Sequence, residues 1–406
     1  MVIMGAYRLA MEFVVAISIS SMISMQVVLL GVAGASAASA AVDLDQPPVA
    51  RRPMFVLGDS TLDVGNNNYL AGANVPRANM PYYGVDVPGF PTGRWSNGYN
   101  TADFVAKYLA AGLVSSSPPA YLSLVAPTSG SGLVPPLAAA ALTTGVSYAS
   151  GGAGILDSTN AGNTIPLSKQ VGYFNTTRSR MIAAAGSGAV ADQLLAKSVF
   201  LIGIGGNDLF AFANAEQQAA PNRSAAQQQD DADAFHASLI SNYSAAITDL
   251  YSMGARKFAV INVGLAGCLP VARLMDPTGA CAGDRNQLAA SFNDNLRSLL
   301  GNLASHLPGF TYSLADSLGL MAATFADPPA YGGFTDVASA CCGGGRLRAE
   351  TSCMPNSTLC ADHDHLYFWD HIHPSQRAAF LRAQAFYDGP AQYTTPINFK
   401  QLANMT

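Results

Sequence analysis

Charged side chains are scarce in this chain of 406 residues, of which only 12% are charged and 50% are hydrophobic. A chain this apolar has enough material for a large buried core and does not have the composition of a disordered protein. The net charge is −5, and there is no long run of basic residues. Because nucleic-acid binding depends on Lys and Arg contacts with phosphates, we expect no nucleic-acid partner.

Several catalytic and metal-binding spacings are also missing. None of the six cysteines has the C-x-x-C spacing of zinc and redox sites, and no H-E-x-x-H motif of metalloproteases occurs. The G-x-S-x-G turn of α/β-hydrolases is absent as well, which argues against that class of serine hydrolase. The chain also has no fixed-period repeat and no clear domain boundary.

The first forty residues have the pattern of a targeting segment. Arg8 precedes an apolar run from about 13 to 33, and the A-x-A patterns Ala35–Ala37 and Ala38–Ala40 follow it. This order predicts a signal peptide over residues 1–40 and a secreted, extracellular protein of the cell wall. The alternative is a signal anchor, because the run is long enough to span a bilayer. No other segment is that apolar, so we expect no stable membrane span after cleavage.

The cysteines and the glycosylation sequons agree with a secretory route. An even number of cysteines in an oxidising compartment suggests disulfides. Cys268 and Cys281 would close the simplest loop, which contributes roughly 3 kcal/mol in the chain-entropy model. The adjacent Cys341 and Cys342 are expected to pair outward, and their candidate partners are Cys353 and Cys360. The candidate N-glycosylation sites are Asn175, Asn222, Asn242, Asn356 and Asn404.

Short apolar segments alternate with amphipathic ones along the rest of the chain. Strands are predicted at 54–57, 145–149, 198–204, 257–263 and 310–314. Helices are predicted at 101–113, 235–253, 284–307 and 374–387, the last with Pro374 in its first turn, and loops at 61–98, 115–136 and 215–233. This alternation predicts a single α/β domain over residues 41–406, with a parallel sheet covered on both faces.

Polar, glycine-rich turns follow three of the predicted strands, at Gly58–Ser60, Gly151–Gly152 and Gly205–Asn207. Sites in parallel sheets lie beyond the carboxyl ends of the strands, so we expect these turns to form one active site. A serine hydroxyl such as that of Ser60 becomes a nucleophile only when a base takes its proton. Without partners, Ser60 would be an ordinary turn serine that bonds nearby backbone.

The segment from Trp369 to Pro374 supplies candidate partners for the serine. Asp370 lies three residues before His373, so its carboxylate can fold back to Nδ1 and leave Nε2 free to accept a proton. His371 competes for the role of base, and the spacing favours His373. Two other interpretations remain open: Asp370 and His373 as a helix-capping pair, and a metal site. The residues of such a metal site are Asp362, His363, Asp364, His365, Asp370, His371 and His373.

Four motifs in order resemble those of the plant GDSL esterases/lipases, a branch of the SGNH-hydrolase superfamily. They are Gly58–Asn67, Tyr148–Ile155, Gly203–Asp208 and Asp370–Pro374, and the segments 341–344 and 396–400 are similar too. The resemblance implies a three-layer α/β/α, flavodoxin-like fold without a cofactor. One position departs from the family pattern, because Ser147 stands where the second motif usually begins with Asn.

The resemblance also implies roles for five residues. Ser60 is then the nucleophile, His373 the base and Asp370 its partner, while the Ser60 amide, Gly152 and Asn207 stabilise the oxyanion. The implied function is hydrolysis of carboxylic esters through an acyl-enzyme, with a lipid or an acylated polysaccharide as substrate. Alternatives at the same site are a polysaccharide (xylan-type) deacetylase and an acyltransferase. A non-catalytic binding glycoprotein that keeps the fold is a further alternative.

Overall fold

Six strands form the main sheet of the protein. The computed structural model describes residues 52–405 apart from 88, 90, 91, 111, 113–116, 127–136 and 220–222. The predicted signal peptide and the sequon at Asn222 lie outside the described residues. The first five strands are β1 (Met54–Gly58), β2 (Gly145–Ser147), β3 (Val199–Gly203), β4 (Lys257–Ile261) and β5 (Thr311–Ala315). They are parallel and have the order β2-β1-β3-β4-β5, which is the flavodoxin-like order.

Helices cover the sheet on both faces. The described helices are α1 (Thr101–Leu109), α2 (Tyr121–Val125), α3 (Leu137–Thr143), α4 (Leu167–Ala185), α5 (Gly188–Lys197), α6 (Gly206–Ala219), α7 (Ala225–Ser252), α8 (Pro270–Arg273), α9 (Gly283–His306), α10 (Ser317–Ala326), α11 (Gln376–Asp388) and α12 (Phe399–Asn404). Short 3₁₀ helices lie at Asn66–Tyr69, Ala266–Cys268, Arg346–Arg348 and Ala391–Tyr393.

The alternation of side chains along β1 explains the three layers. Phe55 and Leu57 belong to a core that also contains residues of α4, α5, α7 and α9. Met54 and Val56 point to the other face, into a core shared with α1, α11 and α12. Neighbouring strand residues point to opposite faces, so a central strand buried on both sides is apolar throughout. The expected α/β fold with a helix layer on each face is therefore confirmed.

Smaller strands lie in the C-terminal part of the chain: β6 (Asp336–Ala340), β7 (Cys342–Gly343), β8 (Thr358–Leu359), β9 (Leu366–Phe368) and β10 (Thr394–Thr395). β6 pairs with β9 and β7 with β8, as two separate ribbons. β10 is antiparallel to β5 at the edge of the main sheet, so the sheet is mostly rather than wholly parallel.

Several boundaries predicted from the sequence are wrong. The predicted loop at 115–136 contains α2, Tyr121–Val125. The stretch 215–233 was expected to be a loop, but α6 continues to Ala219 and α7 begins at Ala225, after a capping box between Ser224 and Gln227. The polarity of that stretch reflects an exposed helix face, since Gln and Ala favour helix. The last long helix begins at Gln376 rather than Pro374, because the Ser375 side chain accepts the Ala378 N–H as its N-cap.

Three disulfides join the six cysteines. They are Cys268–Cys281, Cys341–Cys360 and Cys342–Cys353. The predicted local loop is therefore present, and the adjacent cysteines bond outward as expected. Sequons at four described positions are exposed, namely Asn175, Asn242, Asn356 and Asn404. Among the helices of the described chain, none combines the length and the apolar character that crossing a bilayer requires.

Candidate active site

Ser60 lies in a tight turn at the carboxyl end of β1. The Asp59 N–H donates to the Gly203 carbonyl at 3.2 Å, and the Asp63 N–H returns to the Asp59 carbonyl at 3.0 Å. A Cβ at Gly58 would lie 2.6 Å from the Gly203 oxygen, so the strand can approach β3 this closely only with glycine. This turn ends the strand and leaves the Ser60 side chain beyond the edge of the sheet.

The structure brings Ser60, His373 and Asp370 together, although 313 positions separate the serine from the histidine. The Ser60 Oγ lies 2.8 Å from His373 Nε2. On the other side of the ring, His373 Nδ1 lies 2.8 and 2.9 Å from the two Asp370 carboxylate oxygens. Because a carboxylate only accepts hydrogen bonds, Nδ1 carries the proton and Nε2 is the acceptor for the serine hydroxyl.

Backbone and phenol donors hold the Asp370 carboxylate. Its Oδ1 accepts the N–H groups of Ile372 and His373 at 2.8 Å each, and its Oδ2 accepts the Tyr83 hydroxyl at 2.8 Å. Burial by itself raises the pKa of Asp370. The charge and hydrogen bond of His373, the charge of His371 and the Ile372 amide all lower it, and together they outweigh burial. The net pKa of Asp370 lies below its usual value, so the group is a carboxylate at neutral pH.

Two aromatic residues in the loop at 61–98 contact the Asp370–His373 pair. Their role was not predicted from the sequence. Tyr83 is buried, and both burial and Asp370 raise its pKa, so it remains a phenol that can donate. The ring of Trp95 lies 4.9 Å from that of His373, and Tyr83 packs edge-on against Trp95. Aromatic residues inside a stretch otherwise rich in Asn, Gly and Pro were the available signal.

The remaining histidines of the C-terminal segment do not converge on one site. His363 Nδ1 lies 2.8 Å from Asp86, and His365 Nδ1 lies 2.6 Å from Asp362. His371 makes no side-chain hydrogen bond through Nδ1 to any residue in the described ranges. The residues considered for a metal site therefore take part in separate contacts. Two of these contacts, those of His363 and His365, lie at the surface.

Two neighbouring glycines at the second turn differ in their amide contacts. The Gly151 N–H donates to Asp63 Oδ2 at 2.9 Å. The Gly152 N–H has no acceptor among the described residues, and neither does the Ser60 N–H. Gly152 has a φ of +79°, a conformation that favours glycine. The two unpaired amides are therefore available to an external oxygen, whereas that of Gly151 is not.

Asn207 lies in the first turn of α6 and reaches toward the same place. Its Nδ2 donates one hydrogen to the Ala153 carbonyl at 2.9 Å, which leaves the second hydrogen of the amide available. The adjacent Asp208 accepts the N–H groups of Ile155 and Leu156 and so ties α6 to the glycine turn. The N-terminus of a helix also favours developing negative charge.

The second half of the first motif is a buried polar network. Asp63 Oδ1 accepts the N–H groups of Gly65 and Asn66, while its Oδ2 accepts that of Gly151. Burial raises the pKa of Asp63 to about 6, against the lowering effect of those amides and of Arg94. The network joins the turn of Ser60 to the turn of Gly152, which spacing alone did not reveal.

Gln170 of α4 clamps the end of β1 and was also missed. Its Oε1 accepts the Gly58 N–H, and its Nε2 donates to the carbonyls of Gly58 and Ile165, all at 2.8 Å. The side chain is fully buried. A buried amide with a backbone partner at each end fixes the strand just before Ser60.

An apolar cavity of about 150 Å³ opens beside Ser60. Its walls include Phe210 of α6, the strand end at Ile261, Met321 of α10 and Phe368 of β9. Asn207 lies at the same cavity. A cavity next to a serine–histidine pair is where the apolar part of a substrate would lie.

Known proteins have sequences similar to that of this chain. Residues 54–386 match the family model of the GDSL-like lipase/acylhydrolases. GDSL esterase/lipase At1g71691 of Arabidopsis thaliana is 32% identical over 369 residues, which are 90% of this chain and 88% of the relative. GDSL esterase/lipase At5g55050 of the same plant is 35% identical over 359 residues, or 86% and 89% of the two chains. For GDSL esterase/lipase At2g23540, also from that plant, the identity is 34% over 386 residues, or 92% and 93%.

The family match covers most of the chain and includes every element that carries the site. The resemblance seen in the four motifs is thereby confirmed, and the match includes the five parallel strands of the main sheet. The chain belongs to the GDSL-like lipase/acylhydrolase family and is a carboxylic ester hydrolase.

Proposed function

We propose that this protein is a secreted serine esterase that works through an acyl-enzyme on Ser60. The observation that carries the proposal is the chain of hydrogen bonds from Ser60 Oγ through His373 to the Asp370 carboxylate. An ionised Asp370 keeps Nδ1 protonated and stabilises the imidazolium that forms when Nε2 takes the serine proton.

In the first half of the reaction, Ser60 Oγ attacks the ester carbonyl while His373 removes its proton. The oxyanion of the tetrahedral intermediate accepts hydrogen bonds from the amides of Ser60 and Gly152 and from the side chain of Asn207. His373 then gives the proton to the leaving alcohol, and the acyl group stays on Ser60. In the second half, His373 activates a water that hydrolyses the acyl-enzyme, and Ser60 regains its proton.

Secretion through a signal peptide at residues 1–40 is part of this proposal. Three disulfides among the described residues support it, since such bonds persist in oxidising compartments. We propose a lipid acyl ester as the substrate, because the cavity beside Ser60 is mostly apolar. Glycosylation at the exposed sequons would accompany secretion.

Replacement of the nucleophile tests the reaction. Ser60→Ala should lower kcat on 4-nitrophenyl butyrate by about 10⁴-fold or more, since loss of one triad member removes most of the catalysis. A fluorophosphonate probe should label the wild-type protein and not this variant. The matched control is Ser168→Ala, an exposed serine outside the cavity, which should keep both the activity and the labelling. Wild-type turnover by Ser60→Ala would refute the proposal, and an unlabelled wild type would favour a binding glycoprotein.

The oxyanion donors have a test of their own. Asn207→Ala should lower kcat by about 10²–10³-fold with a smaller change in KM, because the lost hydrogen bond forms mainly in the transition state. An unchanged kcat would remove Asn207 from the mechanism. Asn214→Ala, farther along the same helix, serves as the comparison.

Deacetylation of a polysaccharide and acyl transfer use the same residues. Parallel assays with acetylated xylan, with esters of increasing acyl length and with a hydroxylated acceptor separate the three reactions. We expect the rate to rise from acetyl to longer acyl groups, as an apolar cavity requires. Greatest activity on acetylated xylan would favour the deacetylase instead.

A further inference from the structure

A basic side chain in the wall of the apolar cavity has no ion-pair partner among the described residues. Arg382 of α11 lines the same cavity as Ser60 and Met321. Its Nη2 donates to the Ser317 Oγ at 3.0 Å. The Nε of Arg382 is buried from solvent and has no hydrogen-bond partner among the described residues. No carboxylate of the described chain forms an ion pair with it.

A second donor in the cavity also lacks a partner. The hydroxyl of Tyr367 is buried and makes no hydrogen bond to a described residue. Tyr367 lines the cavity too, close enough to Arg382 for the two to interact electrostatically. Buried polar groups are normally paired, and an unpaired buried charge is especially unfavourable. Two such donors in one cavity point to a missing acceptor rather than to two independent defects.

Among the described residues that line the cavity, Asp59 is the only acidic one, and its hydrogen bonds lie elsewhere. Its Oδ1 accepts the N–H and the hydroxyl of Thr61, at 2.9 and 2.8 Å. Burial raises the pKa of Asp59, with the Thr61 hydrogen bonds and the charges of His373 and Arg382 acting in the opposite direction. Asp59 therefore belongs to the Ser60 turn, and the guanidinium has no ion-pair partner among the described residues.

We propose that Arg382 and Tyr367 form a subsite for a carboxylate at the far end of an acyl chain. The preferred substrate is then an ester of a medium-length acid whose chain ends in a second carboxylate. Arginine binds a carboxylate through two parallel hydrogen bonds, and a phenol adds a third. This inference rests on the proposed function, because the acyl carbon must be bonded to Ser60 Oγ.

The apolar walls of the cavity suit the methylenes of such a chain. Ile261, Val263, Leu265 and Phe368 are among the apolar side chains that line it. A volume of about 150 Å³ has room for on the order of ten water-sized groups. An acyl chain of six to eight carbons is of that size, so we choose adipate and suberate as probes.

The first experiment compares two esters that differ only in charge. Mono-4-nitrophenyl suberate carries a free carboxylate, and methyl 4-nitrophenyl suberate carries a methyl ester in its place. We expect kcat/KM of the wild type to favour the acid by roughly 10-fold to 100-fold, as a charge-assisted hydrogen bond would produce. The adipate pair is run in parallel to cover the chain length.

Variants assign the preference to the subsite. Arg382→Met should abolish the ratio between acid and methyl ester, Arg382→Lys should restore part of it, and Tyr367→Phe should lower it without removing it. The matched control is Arg377→Met on the same helix, since Arg377 does not line the cavity. A wild-type ratio near one, or a ratio that survives Arg382→Met, overturns the subsite.

A binding measurement separates this inference from the proposed function. Monomethyl suberate should raise the Tm of Ser60→Ala, while dimethyl suberate at the same concentration should raise it less. The difference should vanish in the double variant with Arg382→Met. If neither nitrophenyl ester is cleaved but this difference appears, the esterase proposal fails and the subsite stands. If both esters are cleaved equally and the difference is absent, the subsite fails alone.

Discussion

At the scale of single residues, one buried carboxylate distinguishes two glycines that are adjacent in the chain. Asp63 accepts the Gly151 N–H, so this amide cannot serve an oxyanion, whereas the Gly152 N–H has no described acceptor. The same carboxylate accepts two amides from its own turn, those of Gly65 and Asn66. Asp63 is therefore a positioning residue that sets the distance between the Ser60 turn and the Gly152 turn.

Titration of Asp63 should be visible in the pH dependence of stability. Its folded-state pKa of about 6 lies above its unfolded value of 3.8, so the folded protein binds the proton more tightly. The associated stability is fully present below about pH 4 and is lost as the pH rises through 6, on the order of 3 kcal/mol in all. Urea unfolding from pH 4 to pH 7 should show a steeper fall for the wild type than for Asp63→Asn.

Equal pH slopes for the wild type and Asp63→Asn would contradict that expectation. The variant also carries a destabilising contact at every pH, because an amide nitrogen would face the Gly151 N–H. This penalty does not depend on pH, so the difference between the two slopes reports the titration of Asp63.

At the scale of elements, the site depends on how α4 meets the end of β1. Gly58 is the last residue of that strand, and its carbonyl accepts both the Ser150 N–H and the Gln170 side chain. Since β2 ends at Ser147, it pairs β1 only as far as Val56 and leaves Gly58 without a strand partner on that side. The Gln170 amide takes the place of the absent strand residues and holds the start of the Ser60 turn.

Gln170→Met should loosen that turn. The change leaves the Gly58 N–H without its acceptor, and we expect a loss of about 2 kcal/mol in the free energy of unfolding. We also expect kcat on 4-nitrophenyl butyrate to fall roughly tenfold, because small displacements of a reacting group slow the reaction. Urea unfolding and steady-state kinetics give the two quantities. Lys169→Met, an exposed neighbour on α4, should change neither. A kcat equal to wild type would mean that the clamp is purely structural.

At the scale of the whole molecule, the disulfides stabilise the segment that delivers Asp370 and His373. Cys341 and Cys342 donate their N–H groups to the carbonyls of Phe368 and Trp369, directly before Asp370. The four sulfurs of this region are buried in a cluster that also contains Trp369 and Tyr83. The two bridges therefore hold the walls around Asp370, while the third bridge, Cys268–Cys281, lies in a separate loop.

Removing single bridges should separate stability from catalysis. The double change Cys341→Ser and Cys360→Ser opens a loop of 19 residues, and Cys268→Ser with Cys281→Ser opens one of 13. Each should cost roughly 3 kcal/mol by the loop-entropy argument. Only the first pair should also lower kcat markedly, because its bridge is next to Asp370. Thermal unfolding measures the stability of each double variant, and steady-state kinetics measures its kcat. Equal losses of kcat in the two double variants would contradict this prediction.

The sequence by itself determined the fold class and the order of the main elements. Strands such as 54–57 and 198–204 are buried on both faces. A strand buried in this way consists almost entirely of apolar residues, so it can be recognised from the sequence. The four motifs identified the family, since each is tied to a turn that tolerates few residue types. Helix boundaries were harder to predict from the sequence. The stretch 215–233 is polar because it is exposed, and an exposed polar stretch can be either a helix or a loop.

Only the tertiary structure decided which groups meet. The contact between Ser60 and His373 joins positions 313 apart, and it depends on the order of strands in the sheet rather than on any local pattern. The contacts of Tyr83, Gln170 and Arg382 likewise arise from packing between elements distant in the chain. Local sequence governs the conformation of each turn, but the partners of a buried polar group depend on the whole fold, because they must come from wherever the chain leaves a donor or an acceptor unpaired.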